Sequence, residues 1–203
     1  MACSVTLSDV SYSCDDLGVG GITELYLVNK ADLTATTGEG LNGATFTTDG
    51  SRTITGTVAA INALDGVEME FNNKDGFSFF GEVKTVNADG TTSTVPTISF
   101  ETPKMTPAKV EALNQMASAG SELVALVATA AGTYHVVGHD YGLYINTVDG
   151  NSGTARAEKN RFQVTITGEE DGLSYTLPET LDANSVSDNG KDSFDTLVAG
   201  IKA

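Results

Sequence analysis

Residues 161–177 read RFQVTITGEEDGLSYTL. From Arg161 to Thr167, the apolar residues Phe162, Val164 and Ile166 alternate with polar neighbours. A period of two marks a strand with one buried face. Gly168-Glu169-Glu170-Asp171-Gly172 interrupts the pattern, and Leu173-Ser174-Tyr175-Thr176-Leu177 resumes it. Two such runs around a short Gly-bounded segment predict a β-hairpin with three acids in its turn.

The same alternation recurs upstream, at Ile22 to Asn29, Arg52 to Ala59, Val67 to Phe71, Phe77 to Val86 and Val95 to Glu101. The Asp75-Gly76 step predicts a hairpin between the third and fourth of these, and Asn87-Ala88-Asp89-Gly90 a second turn. The period then changes once. Thr106-Pro107 is an N-cap followed by a first-turn proline. Val110, Leu113 and Ala117 recur at helical spacing, and Gly120 is a natural stop. Further strands are expected at Glu122–Thr129, Thr133–His139 and Tyr141–Thr147. The pattern predicts a mainly β fold, an antiparallel β-sandwich or barrel with one flanking α-helix at about 107–119. Residues 1–178 form the β domain, with 31–51 as a long loop reaching a neighbour. Residues 179–203 form a C-terminal extension or arm, in which Asp188–Asp192 is a loop and Ser193 to Ile201 a short amphipathic helix or an arm.

Composition narrows the function. The 203 residues carry 27 Asp plus Glu against 11 Lys plus Arg, a formal charge of −16. A field of that sign does not gather DNA, since duplex binding needs cations that displace its counterions. It equally disfavours anionic membranes. Gly is abundant, 22 residues, and Pro scarce, 4, as many strands joined by tight turns require. Cys3 and Cys14 read as free thiols of a cytosolically made protein, with a disulfide or redox pair as the alternative. The opening MACSVTLSDVSYSCDD has neither the basic nor the apolar region of a secretory leader.

Chemistry is sparse. His135 and His139, four apart and followed by Asp140, suggest a metal site or a His–Asp dyad, but no third histidine exists to complete a zinc set. Surface or interface histidines are the plainer expectation. Gly18-Val19-Gly20-Gly21 lacks the Lys-Ser/Thr of a phosphate loop and leads into a strand, so it serves a sharp turn. Asp149–Gly153 and Asp188–Asp192 offer oxygen ligands without the twelve-residue calcium spacing. No catalytic constellation, metal or cofactor is expected.

The segment GHDYGLYINTVDGNSGTARAEKNRFQVTITGEEDGLSYTL, residues 138–177, resembles the C-terminal part of tail tube proteins of tailed bacteriophages. The likeness rests on Gly138 with Gly142-Leu143, on Ser152-Gly153, on Phe162, on Thr167-Gly168-Glu169-Glu170 and on Tyr175. Cys14 to Ile22, followed by Leu25-Tyr26-Leu27, is similar to the opening of such proteins. The resemblance covers about a third of the chain. It implies a structural, non-enzymatic virion subunit, forming hexameric rings that stack into a tube through which the genome passes without specific binding. Its partners would be further copies of itself and the tail terminator, baseplate or tip, and tape-measure proteins. A contractile injection tube, a terminator or neck ring, or a carbohydrate-binding or adhesin-like sandwich are the alternatives.

On that reading the acids have places. Alternation puts Val67, Met69 and Phe71 on a core face, and Glu68 and Glu70 on an acidic lumen face with Glu82 on the partner strand. Glu169, Glu170 and Asp171 would sit at a ring rim, pairing with Arg156, Lys159 or Arg161 of a neighbour.

Overall fold

The computed structural model describes residues 20–31, 45–46, 52–55, 66–69, 78–118, 122–153, 160–177, 190–199 and 201. Among these residues the elements are, in order, β1 (Ile22–Asn29), β2 (Thr45–Phe46), β3 (Ile54–Thr55), β4 (Gly66–Glu68), β5 (Phe79–Val86), β6 (Thr92–Pro103), α1 (Pro107–Met116), β7 (Leu123–Thr129), β8 (Tyr134–Val137), β9 (Leu143–Asn151), β10 (Arg161–Gly168), β11 (Tyr175–Thr176) and α2 (Lys191–Val198). The mainly β, antiparallel architecture with a flanking helix is as the sequence predicts.

The strand β7 explains the layering. Its sequence LVALVAT lacks polar alternation and all but Thr129 is buried, as a strand covered on both faces requires. β1 runs along one side of it and β8 along the other. β4 extends this layer beyond β1, and β11 extends it beyond β8. The second layer is β9, β10, β6 and β5, in that order. Among the described residues the single pair Leu123↔Leu143 joins the two layers, so the sandwich is one sheet turned at a corner.

Two cores result. Between the layers, Leu25, Leu27, Ala125 and Val127 meet Ile98, Phe100, Val164 and Ile166. On the other face of the first layer, Tyr26, Val28, Val124, Leu126 and Val136 are covered by Ile54 and by Phe194, Leu197 and Val198 of α2. The tail helix is therefore part of the fold rather than an extension or arm. It starts at Lys191, inside the segment expected as loop, and presents its apolar stripe to the sheet.

The 161–168 strand forms as its pattern dictates, buried at every second residue. The hairpin that should follow does not. Both sides of β10 are already occupied, by β9 and by β6. The chain instead crosses to the first layer, where β11 pairs with β8. Among the described residues β4 and β5 do not pair with each other as the expected hairpin requires: β4 pairs with β1 and β5 with β6, and the expected turn at 72–76 lies outside those residues. The turn at Asn87–Gly90 is as expected: Gly90 has φ +86° and donates to the Asn87 carbonyl at 3.0 Å. The Asp149–Gly153 stretch is strand up to Asn151.

The helix α1 is capped by the Thr106 hydroxyl, which accepts from the Lys109 N–H at 3.4 Å. It ends at Met116, before the expected 119, and of Val110, Leu113 and Ala117 only Leu113 is buried. In the long 31–51 stretch, Thr45 and Phe46 pair with Thr55 and Ile54. Cys3, Cys14, Gly18 and Val19 lie outside the described residues; Gly21, at φ +112°, makes the turn into β1.

Pro96 sits inside β6 yet costs no hydrogen bond. The β10–β6 ladder runs to Thr167↔Thr97, and the same register resumes at Glu170↔Thr94. Pro96, which has no N–H to give, occupies the gap between them.

Candidate functional site

The backbone bridge at Glu170 turns an acid from the expected surface cluster inward. Thr94 and Glu170 exchange both N–H···O bonds at 2.8 Å, and Glu170 is 2% exposed. Its side chain meets two segments remote in sequence. Arg52, just before β3, places Nη2 at 3.5 Å from Glu170 Oε2 and at 2.7 Å from Asp140 Oδ2. Asp140 belongs to the turn between β8 and β9, and its backbone N–H donates to Glu170 Oε2 at 3.2 Å.

Further groups close around this trio. The Tyr175 hydroxyl donates to Asp140 Oδ1 at 3.2 Å. His139 Nδ1 lies 3.4 Å from the same oxygen. Lys30 Nζ donates to the Asp140 carbonyl at 3.0 Å and pairs with Glu122 at 3.2 Å. The turn itself depends on Gly138 and Gly142, both at φ +87°, a conformation that strongly favours glycine.

Electrostatics separate the two carboxyls. Burial, and then the charge of Asp140, push Glu170 up to about 8. Burial also works against ionisation of Asp140, but hydrogen bonds from Arg52 and Glu170 outweigh it and hold Asp140 below the usual range. Two acids that share a site cannot both ionise cheaply, and the one nearer the cation keeps its charge.

A cleft of about 470 Å³ opens beside the cluster, bordered by Arg52, Glu82, His135, Asp140 and Ser174. Ser174 gives its N–H and hydroxyl to Glu82 at 2.7 and 3.1 Å, which leaves the hydroxyl oxygen to accept from His135 Nδ1 at 3.1 Å. The His135 Nε2 faces the Thr133 hydroxyl at 3.0 Å. A catalytic triad needs the imidazole between hydroxyl and carboxylate; here the serine stands in the middle. Burial keeps both His135 and His139 below the ordinary histidine range, and they take different partners rather than converging. Among the described residues, no group of three or more His, Cys, Asp or Glu could hold a metal ion. No helix of the described residues is long and apolar enough to cross a membrane.

The expected site residues scatter. Glu68 is exposed on β4, opposite Tyr26. Glu82 is not on its partner strand: it lies in the other layer, on the side of β5 that faces Ser174, and is half-buried. Burial raises its carboxyl, against the two Ser174 bonds. Its carboxyl is thus engaged within the chain by Ser174. Glu169 and Asp171 are exposed, and Asp171 accepts from the Tyr141 hydroxyl at 3.0 Å. Glu170 is withdrawn from any rim by its burial. Arg161 pairs with the buried Glu101 of its own chain. Glu70, Arg156 and Lys159 lie outside the described residues. Arg52 and Asp140 are the partners that sequence patterns did not connect with the acidic run.

Compared with protein-family models, curated proteins and solved structures, the chain matches none.

Proposed function

We propose that the chain is a structural subunit of the phage tail tube type, assembling into stacked hexameric rings around an acidic channel for DNA. The observation that carries this reading is the edge strand β5. Among the described residues it pairs on one side only, with β6. It is eight residues long, and Phe79, Val83 and Val86 are 56%, 67% and 70% exposed. A long edge with apolar side chains is a template for pairing with another chain, and soluble monomers normally blunt such edges. An identical neighbour supplies that pairing head to tail, which closes into a ring when the rotation allows.

The charge fits the same reading. A hexamer would carry six times −16, and a bore of that sign offers passing DNA no cations at which to stick. Glu68 remains a candidate for the bore, and Glu169 and Asp171 for the ring rim.

The test is negative-stain electron microscopy of the full chain at low and high salt, beside the variant Val83→Lys. Rings or tubes are expected for the natural sequence, favoured by salt because screening weakens repulsion between copies. Val83→Lys should fold and fail to assemble. A natural chain that stays monomeric at high concentration in every salt would count against the proposal, as would unchanged assembly of the variant.

A further inference from the structure

We propose that Glu170 and Asp140 hold one proton between them, and that this shared proton latches the crossover between β10 and β11 onto Arg52 and the turn at 138–142.

The geometry supplies one cation for two acids. Arg52 makes its short contact with Asp140 and only a long one, 3.5 Å, with Glu170. The Glu170 side chain is 1% exposed, and its Oε1 is buried without a hydrogen-bond partner. An ionised carboxylate with one oxygen bare in a dry site is strongly disfavoured. A proton on Glu170, given to the Asp140 carboxylate as a hydrogen bond, removes that cost.

Among the described residues no second cation takes its place. The segment before β3 brings Arg52, with Tyr175 of β11 stacked beneath it. The turn after β8 brings Asp140, with His139 beside it, its imidazole pushed below the ordinary range by burial. Lys30, at the end of β1, is directed to the Asp140 carbonyl and Glu122. From β6 comes only the neutral Thr94. Tyr141 and Asp171 pair with each other, while Glu82 of β5 is turned to Ser174; Lys84 borders the cleft from an exposed position.

The sign follows from where the proton is held. Docked Glu170 titrates at about 8 against an ordinary 4.5. The docked state therefore binds a proton that a released crossover would lose. The contribution of Glu170 to the latch is complete at about 4.5 and weakens as pH rises to about 8, by about tenfold per pH unit. Release would also strip the Thr94 N–H and carbonyl of their partners, uncovering part of the β6 edge.

Two measurements on the full chain decide the proposal, and neither depends on assembly. Carbon-detected NMR titration of the Glu170 carboxyl should show a midpoint near 8, moving down in Asp140→Asn. A midpoint near 4.5 in the natural chain overturns it. Urea unfolding of the natural chain and of E170Q, compared between about pH 5 and about pH 8, should show the natural chain losing ground by up to tenfold per pH unit. A ratio independent of pH overturns it. Should E170Q not fold, the titration alone still decides.

Discussion

The guanidinium carbon of Arg52 lies 3.9 Å from the centroid of the Tyr175 ring. The hydroxyl of that ring and the Nη2 of that guanidinium grip the two oxygens of one carboxylate, Asp140. Three segments far apart in sequence are thus closed into one ring of contacts. Gly172 completes it, since a Cβ there would come within 2.8 Å of Arg52 Cδ.

Replacing Arg52 should be among the costliest changes in the chain. Arg52→Ala leaves Asp140 largely buried without its guanidinium, and removes the cover of Tyr175. Breaking a buried pair on one side costs about 3–5 kcal/mol. Arg52→Lys should recover only part of this, because an ammonium neither forks between two acids nor stacks flat on a ring. Urea unfolding at neutral pH measures both; a loss for Arg52→Ala below about 1 kcal/mol, as for exposed pairs, would show the cluster to be wet.

Gly138→Ala should destabilise through the backbone and through packing together. At φ +87° an added Cβ would lie 2.4 Å from Leu143 Cγ and 2.9 Å from the Leu123 carbonyl oxygen. The backbone strain alone is worth about 1–3 kcal/mol. Both clashing residues form the pair that, among the described residues, joins the layers, so the loss should appear as a lower thermal midpoint with altered signals at the corner. An unchanged midpoint would contradict the corner's role.

Phe194→Ala tests whether the tail helix is structural. Phe194 is fully buried, with its ring edge-on to Tyr26 at 5.8 Å and tilted against Tyr134 at 5.0 Å. Truncating such a core ring costs about 3–5 kcal/mol. Calorimetry should show one cooperative transition shifted downward. A separate early transition for the tail would mean that α2 docks as an independent arm.

Sequence patterns expose local order and hide long-range partners, and this chain shows both. β10 was legible because one-sided burial writes itself into alternating residues. The helix at 107 was legible because Thr106 and Pro107 are chemically specific to a helix start. The hairpin at 168–172 was misread because Gly-flanked acids look alike whether the chain reverses or crosses over. Only the occupancy of both β10 edges decides that, and it resides in Leu143–Asn151 and Thr92–Pro103. Glu170 was hidden for a related reason. Among three consecutive acids, nothing local marks the one that faces Asp140, 30 positions back, and Arg52, 118 positions back.

The gap at Pro96 sets a rule on length rather than on residue identity. Because Thr167↔Thr97 and Glu170↔Thr94 share one register, Gly168 and Glu169 act as a spacer of fixed count. Inserting or deleting one residue there would exchange the inward and outward positions that follow, carrying Glu170 into solvent and a neighbour into the dry site. Natural variants of this segment are therefore expected to differ freely at the exposed Glu169 while keeping the spacer's length unchanged.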